Sequence, residues 1–250
     1  MVIKWNITIP ALSGSVPRRA YVWLPEDYKT SGKRYPVLYM FDGHNVFFDE
    51  DATYGKSWGM AAYLTDHPKD LIVAAVECNY EGNQRLVEYT PMPRVTCDLG
   101  TYRGRGKETF QWLIGEFKPY IDKRFRTLPD RKNTLIAGSS MGGLMALYGV
   151  TAHNAVFQRG ACLSPSLWVD PGKVLEFVAR SRIRGGTNLY MDYGEKELRN
   201  HDASQLALTQ TNQLLLAKGV NLTFRVVPGG EHCEASWEQQ IPVFFACLGL

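Results

Sequence analysis

Gly138-Ser139-Ser140-Met141-Gly142 sets a serine between two glycines in the spacing G-x-S-x-G. At ordinary residue frequencies such a match arises by chance on the order of once in ten chains of this length. Its context gives it weight. An apolar run at 135–137 precedes it, and a helix-like segment rich in small residues follows. A serine on a sharp strand-to-helix turn is lifted clear of a sheet, and its flanks must be small because the two backbones pass closely. Ser140 is therefore the candidate nucleophile.

A serine hydroxyl attacks poorly until a base takes its proton and a third group holds that base. On a turn of this kind the partners follow in the order serine, acid, histidine. The histidines after Ser140 are His153, His201 and His232. His153 falls where the helix after the turn ends, and His201 opens a polar segment with no special context. His232 lies in a loop straight after the last expected strand, where a sheet of this type can deliver a base, so it is the expected one. The acid should follow the preceding strand, in Asp192-Tyr193-Gly194-Glu195-Lys196-Glu197. Spacing does not choose among Asp192, Glu195 and Glu197. Charge developing on an attacked carbonyl oxygen needs two backbone N–H donors. Met141, just after the nucleophile, supplies one; His44, in the Asp42-Gly43-His44-Asn45 loop, supplies the other.

Stepping outward, short apolar runs at 35–41, 71–76, 135–137, 158–163, 187–191 and 222–227 suit strands buried on both faces of a parallel sheet. Two earlier strands are expected at 2–9 and 20–24. Between the runs lie helical patterns, clearest at 108–121, with others at 202–218 and 237–248; Pro242 leaves the start of the last one open. Such alternation implies an α/β domain spanning 1–250, a mostly parallel sheet with helices on both faces and ligands beyond the carboxyl ends of its strands.

The chain of 250 residues is 45% hydrophobic and 21% charged, with a net charge of +3. That is enough for a full core and too little charge to imply a polyanionic partner. Basic clusters at Arg103, Arg105 and Lys107 and at Arg180, Arg182 and Arg184 accompany no nucleic-acid-binding module and read as solvated surface. No stretch has the pattern of a signal peptide or membrane span, so a cytoplasmic protein is expected. Five irregularly spaced cysteines show no metal-ligand or disulfide framework, which agrees with reduced thiols.

Taken together, segments 35–48, 88–91, 119–127, 136–144, 163–168 and 230–237 make the chain resemble the esterase D-like branch of the α/β-hydrolase superfamily. The resemblance covers most of the chain and implies hydrolysis of carboxylic esters through an acyl-enzyme, without cofactor or metal. It maps Ser140 to nucleophile and His232 to base, and it favours Glu197 as the acid. His44 departs from the glutamine of many relatives, without altering the role of its N–H. The family does not fix the substrate; short-chain or carbohydrate-linked acyl groups are expected, in the absence of a long insertion that could form a lid. Trp58, Tyr89 and Trp168 are candidate pocket walls. Glu234, two residues past the base, reads as a charge at a helix N-terminus. An acyltransferase using the same residues, a non-catalytic binding protein on the same fold, and a thiol enzyme built on Cys233 are the rival readings. The oligomeric state is not legible.

Overall fold

The computed structural model describes residues 1–97, 100–198 and 202–250. Eight strands form one sheet: β1 (Val2–Thr8), β2 (Pro17–Trp23), β3 (Val37–Met40), β4 (Ile72–Val76), β7 (Thr134–Ser139), β8 (Arg159–Leu163), β9 (Asn188–Gly194) and β10 (Asn221–Val227). Their spatial order is β1-β2-β4-β3-β7-β8-β9-β10. The pairs β1/β2 and β2/β4 are antiparallel, and every other pair is parallel. Two strands not anticipated from the pattern, β5 (Val95–Cys97) and β6 (Gly100–Tyr102), make a separate antiparallel pair.

Alternation along the central strands divides the interior in two. Val37 and Tyr39 of β3 and Ile136 of β7 enter one apolar cluster, while Leu38, Met40, Leu135 and Ala137 enter the other. Both faces therefore need helices, which is why the central strands are apolar at nearly every position. The first cluster is covered by α4 (Gly106–Trp112), α5 (Lys118–Arg124), α6 (Met141–Ala152), α7 (Pro171–Arg180) and α9 (Asp202–Ala217). The second is covered by α2 (Met60–Asp66) and α11 (Ile241–Leu248). Shorter helices complete the chain: α1 (Pro10–Ser13), α3 (Gln84–Glu88), α8 (Glu195–Leu198) and α10 (Glu234–Glu238). Among the described residues no helix is long and apolar enough to cross a membrane.

Two helices differ from the pattern for one reason. The helix expected at 108–121 runs from α4 into α5 through a π-helical turn, Leu113–Phe117. Pro119 has no N–H to donate and its ring crowds the carbonyl four residues back, so the wider turn accommodates it. The helix expected at 237–248 is broken into α10 and α11, and Pro242 stands in the first turn of α11, where a missing N–H is harmless.

A buried ion pair ties β2 to α3. The Arg18 guanidinium donates through both terminal nitrogens to Glu88, at 2.6 and 2.5 Å, with both side chains almost wholly buried. Neither charge can be left alone there. Arg18→Met should lower unfolding stability by about 3–5 kcal/mol, because it strands the Glu88 carboxylate. The combined Arg18→Met, Glu88→Leu change should recover much of that loss in urea unfolding.

Candidate active site

β3, β7, β9 and β10 point their carboxyl ends to one edge of the sheet, and the chemistry-bearing residues collect there. Ser140 follows β7 directly, with φ 56° and ψ −122°. That backbone is unusual for a residue with a side chain, at roughly 1–3 kcal/mol. Close packing enforces it. A Cβ on Gly138 would stand 2.5 Å from the Gly142 carbonyl oxygen, and one on Gly142 would stand 3.0 Å from Phe41 Cβ. Ser140 N–H donates to Leu163 O at 2.9 Å, tying the turn to β8.

From this turn runs a connected series of hydrogen bonds. Ser140 Oγ lies 2.9 Å from His232 Nε2, and His232 Nδ1 lies 2.6 Å from Glu197 Oε2. The other Glu197 oxygen accepts from Ser164 Oγ at 2.6 Å and from Gly194 N–H at 2.8 Å. Burial alone would raise the Glu197 carboxyl, but the hydrogen bonds from His232, Ser164 and Gly194 outweigh it and hold the group below its ordinary range. An ionised carboxylate only accepts, so His232 Nδ1 carries the proton and Nε2 is left to accept from Ser140.

The loops that carry Glu197 and His232 meet backbone to backbone. A Cβ on Gly194 would lie 2.4 Å from the Gly230 carbonyl carbon. Lys196 N–H donates to Gly230 O at 3.1 Å, and Gly229 N–H to Glu195 Oε2 at 3.0 Å. Glu195 thus braces the loop that carries His232. Asp192 is buried at the end of β9, where its carboxyl accepts from Tyr190 O–H at 2.8 Å and Ser164 N–H at 3.2 Å. Of the three carboxylates left open by spacing, only Glu197 touches His232.

Met141 is the first residue of α6 and His44 lies within the short 3₁₀ turn Gly43–Asn45, so both N–H groups belong to a first turn, which leaves its leading donors without intrahelical partners. Arg85 fixes the loop ahead of His44. Its Nε and Nη2 each donate at 2.8 Å to one oxygen of the buried Asp42 carboxylate. Burial would raise the Asp42 carboxyl, but the Arg85 charge and hydrogen bonds prevail and keep it lowered. Asp42, His44 and Cys78 each bring a possible ligand atom within 4.8 Å of the others. Both Asp42 oxygens are already engaged by a guanidinium whose charge opposes a second cation, so this trio fits a metal poorly.

The aromatic candidates fare differently. Trp58 is buried against Trp237 and Phe244, one layer behind the site, because α2 and α11 enclose it. Tyr89 is also buried. Its hydroxyl accepts from Asp42 N–H at 3.2 Å, so it braces the loop of His44 and does not form a wall. Trp168 is 42% exposed in the turn Leu167–Val169, outside the pocket at Ser140. That pocket, about 650 Å³, mixes apolar and polar lining, with Asn45, Lys56, Asn79, Tyr80 and Arg85 among its walls. His153 caps α6 and stacks on Phe110 at 4.7 Å, in the role of a helix end. His201 lies outside the described residues. Glu234 does open α10, and its Oε1 also accepts from Asn45 Nδ2 at 2.9 Å.

Ser164, Ser166, Trp237 and Arg85 had no assigned role in the pattern. Ser166 Oγ is 3.3 Å from Ser140 Oγ, and Ser166 N–H donates to Ser140 O at 3.0 Å. The Trp237 ring stands edge-on to His232, centroids 5.1 Å apart. Segments 163–168 and 230–237 contain three of these residues, but nothing in their spacing distinguishes a bracing hydroxyl from a surface one.

Burial pushes the Asp192 carboxyl up to about 7, against the pull of its two hydrogen bonds. The folded state therefore holds a proton that the unfolded chain has already released above pH ~4. Wild-type stability should gain from this group at low pH and lose that gain as pH rises toward 7. Asp192→Asn removes the titration, so its stability relative to wild type should climb between pH 4 and 7. Parallel pH-independent curves would contradict the assignment.

The family described as "Putative esterase" matches residues 15–247 of the chain. The uncharacterized protein YbbA of Bacillus subtilis is 23% identical over 209 residues, covering 81% of this chain and 79% of that protein. An esterase of Mycobacterium tuberculosis is 33% identical over 126 residues, which are 50% of this chain and 24% of its own length. Among solved structures, an IroE-like serine hydrolase from Shewanella oneidensis superposes with a TM-score of 0.74 at 20% identity, covering 99% of this chain and 79% of that one. At that identity the likeness speaks for the fold alone.

Proposed function

Because the chain belongs to the "Putative esterase" family and is a carboxylic ester hydrolase, we propose that it works as a serine esterase through an acyl-enzyme, with Ser140, His232 and Glu197 as its triad. The observation that carries this reading is the unbroken series Ser140 Oγ to His232 Nε2 to Glu197 Oε2, at 2.9 and 2.6 Å. Ser140 Oγ attacks the ester carbonyl while His232 Nε2 takes its proton. Glu197 holds the imidazole by Nδ1–H and stabilises the imidazolium that forms. The N–H groups of Met141 and His44 receive the oxyanion. His232 then protonates the departing alcohol, and a water, deprotonated by the same nitrogen, releases the acid.

Amide and charged side chains among the pocket walls, Asn45, Asn79, Lys56 and Arg85, support short-chain or carbohydrate-linked acyl esters as substrates. Tyr54 and Tyr80 stand 83% and 53% exposed at the same pocket, suited to stack on a sugar or aromatic ring. The free thiols of Cys78, Cys162, Cys233 and Cys247 suit the cytoplasm.

Hydrolysis of p-nitrophenyl acetate and butyrate should exceed that of the octanoate, and Ser140→Ala should lower kcat at least about a thousandfold. Retention of turnover within a few-fold by that variant would falsify the reading. Products formed with and without an added alcohol separate hydrolysis from acyl transfer. Glu197→Gln should reduce kcat by roughly 10²–10⁴, while Glu195→Gln stays within a few-fold of wild type. The reverse ranking in steady-state assays would move the acid to Glu195.

A further inference from the structure

We infer that Ser164 and Trp237 are positioning residues that commit the Glu197 carboxylate to His232 through a hydrogen-bond relay of fixed direction. The inference rests on the triad reading above and concerns what holds that triad in place. Trp237 Nε1 donates to Ser164 Oγ at 3.0 Å in a buried setting, and Ser164 Oγ lies 2.6 Å from Glu197 Oε1. An indole N–H can only donate, and a hydroxyl owns one proton. Ser164 must therefore accept from Trp237, and its single proton is left for Glu197. With Gly194 N–H on the same oxygen, Oε1 is held by two donors and Oε2 is left to His232.

Trp237 acts on the base as well. Its ring meets the His232 ring edge-on, with centroids 5.1 Å apart and planes at 82°. One side chain thus restrains the imidazole directly and the carboxylate through Ser164. The backbone of Ser164 has φ 44°, a conformation that favours glycine. A serine held there is tied down by its own N–H, which donates to Asp192 O at 3.0 Å. Its hydroxyl is buried, with Glu197 and Trp237 as its hydrogen-bond partners.

The test is a double-mutant cycle on kcat and KM for p-nitrophenyl acetate with wild type, Ser164→Gly, Trp237→Phe and the pair. Glycine suits the backbone at 164, and phenylalanine keeps a ring against His232 while losing the N–H. Ser164→Gly should lower kcat ten- to a hundredfold with KM within twofold, in a protein that stays folded at the assay temperature. Trp237→Phe should lower kcat several-fold. The double variant should be no slower than Ser164→Gly, because the indole N–H acts only through the hydroxyl. Multiplying effects, or a Ser164→Gly enzyme within twofold of wild type, would overturn the inference. The downfield proton NMR signal of His232 Nδ1–H, assigned by its loss in His232→Gln, reads the same geometry without turnover. It should be sharp in wild type and displaced or broadened in Ser164→Gly; an unchanged signal also overturns the relay. Failure of wild type to cleave any ester counts against the esterase reading instead, and the NMR signal still decides the relay.

Discussion

Closeness of approach between backbones governs this edge of the sheet. Strand β7 and helix α6 turn so tightly around Ser140 that a Cβ at residue 138 would collide with the backbone of residue 142, and one at 142 would be crowded by Phe41. The loops after β9 and β10 touch at Gly194 and Gly230 with equally little space. The first contact raises a hydroxyl above the sheet; the second brings a carboxylate and an imidazole to it. Hydrogen bonds of 2.6 and 2.9 Å between side chains from three different strand ends exist because the main chain has already been brought to those distances.

Burial raises two neighbouring carboxyl groups alike, yet they settle on opposite sides of their ordinary range. Glu197 accepts from three donors, which overcome desolvation and favour its ionised form. Asp192, deeper under the same loop, has two neutral donors, and the charge of Glu197 nearby adds to its desolvation. The negative charge is thereby held beside His232 Nδ1. Beneath it stands a carboxyl disposed to remain protonated.

The meeting of Ser140 and His232, the proposed nucleophile and base, was legible because each is marked by local signals: small residues around a strand-to-helix turn, and a histidine in the loop after the last strand. Glu197 was not separable by spacing. Asp192, Glu195 and Glu197 differ only in which way the chain turns after β9, and the short helix α8 decides it by facing residue 197 toward His232 and residue 195 toward Gly229. Trp58 and Tyr89 misled for a related reason. An aromatic side chain carries no local mark of whether it lines a cavity or backs one, and packing by distant elements sent both inward. The helices around Pro119 and Pro242 were visible as apolar periodicity, whereas the π turn and the break depend on backbone donors that periodicity does not register.

The Gly194–Gly230 contact has a mechanical corollary. With the two loops also pinned by Lys196 N–H to Gly230 O and Gly229 N–H to Glu195, Glu197 and His232 form one stiff jaw, while Ser140 sits on another, built from β7 and α6. The side-chain link between these two is a single hydrogen bond, Ser140 Oγ to His232 Nε2, and His232 is 46% open to solvent. On the triad reading proposed above, Glu197 and His232 move as one unit, and the side-chain bond that joins them to Ser140 is the one open to the solvent from which an ester arrives.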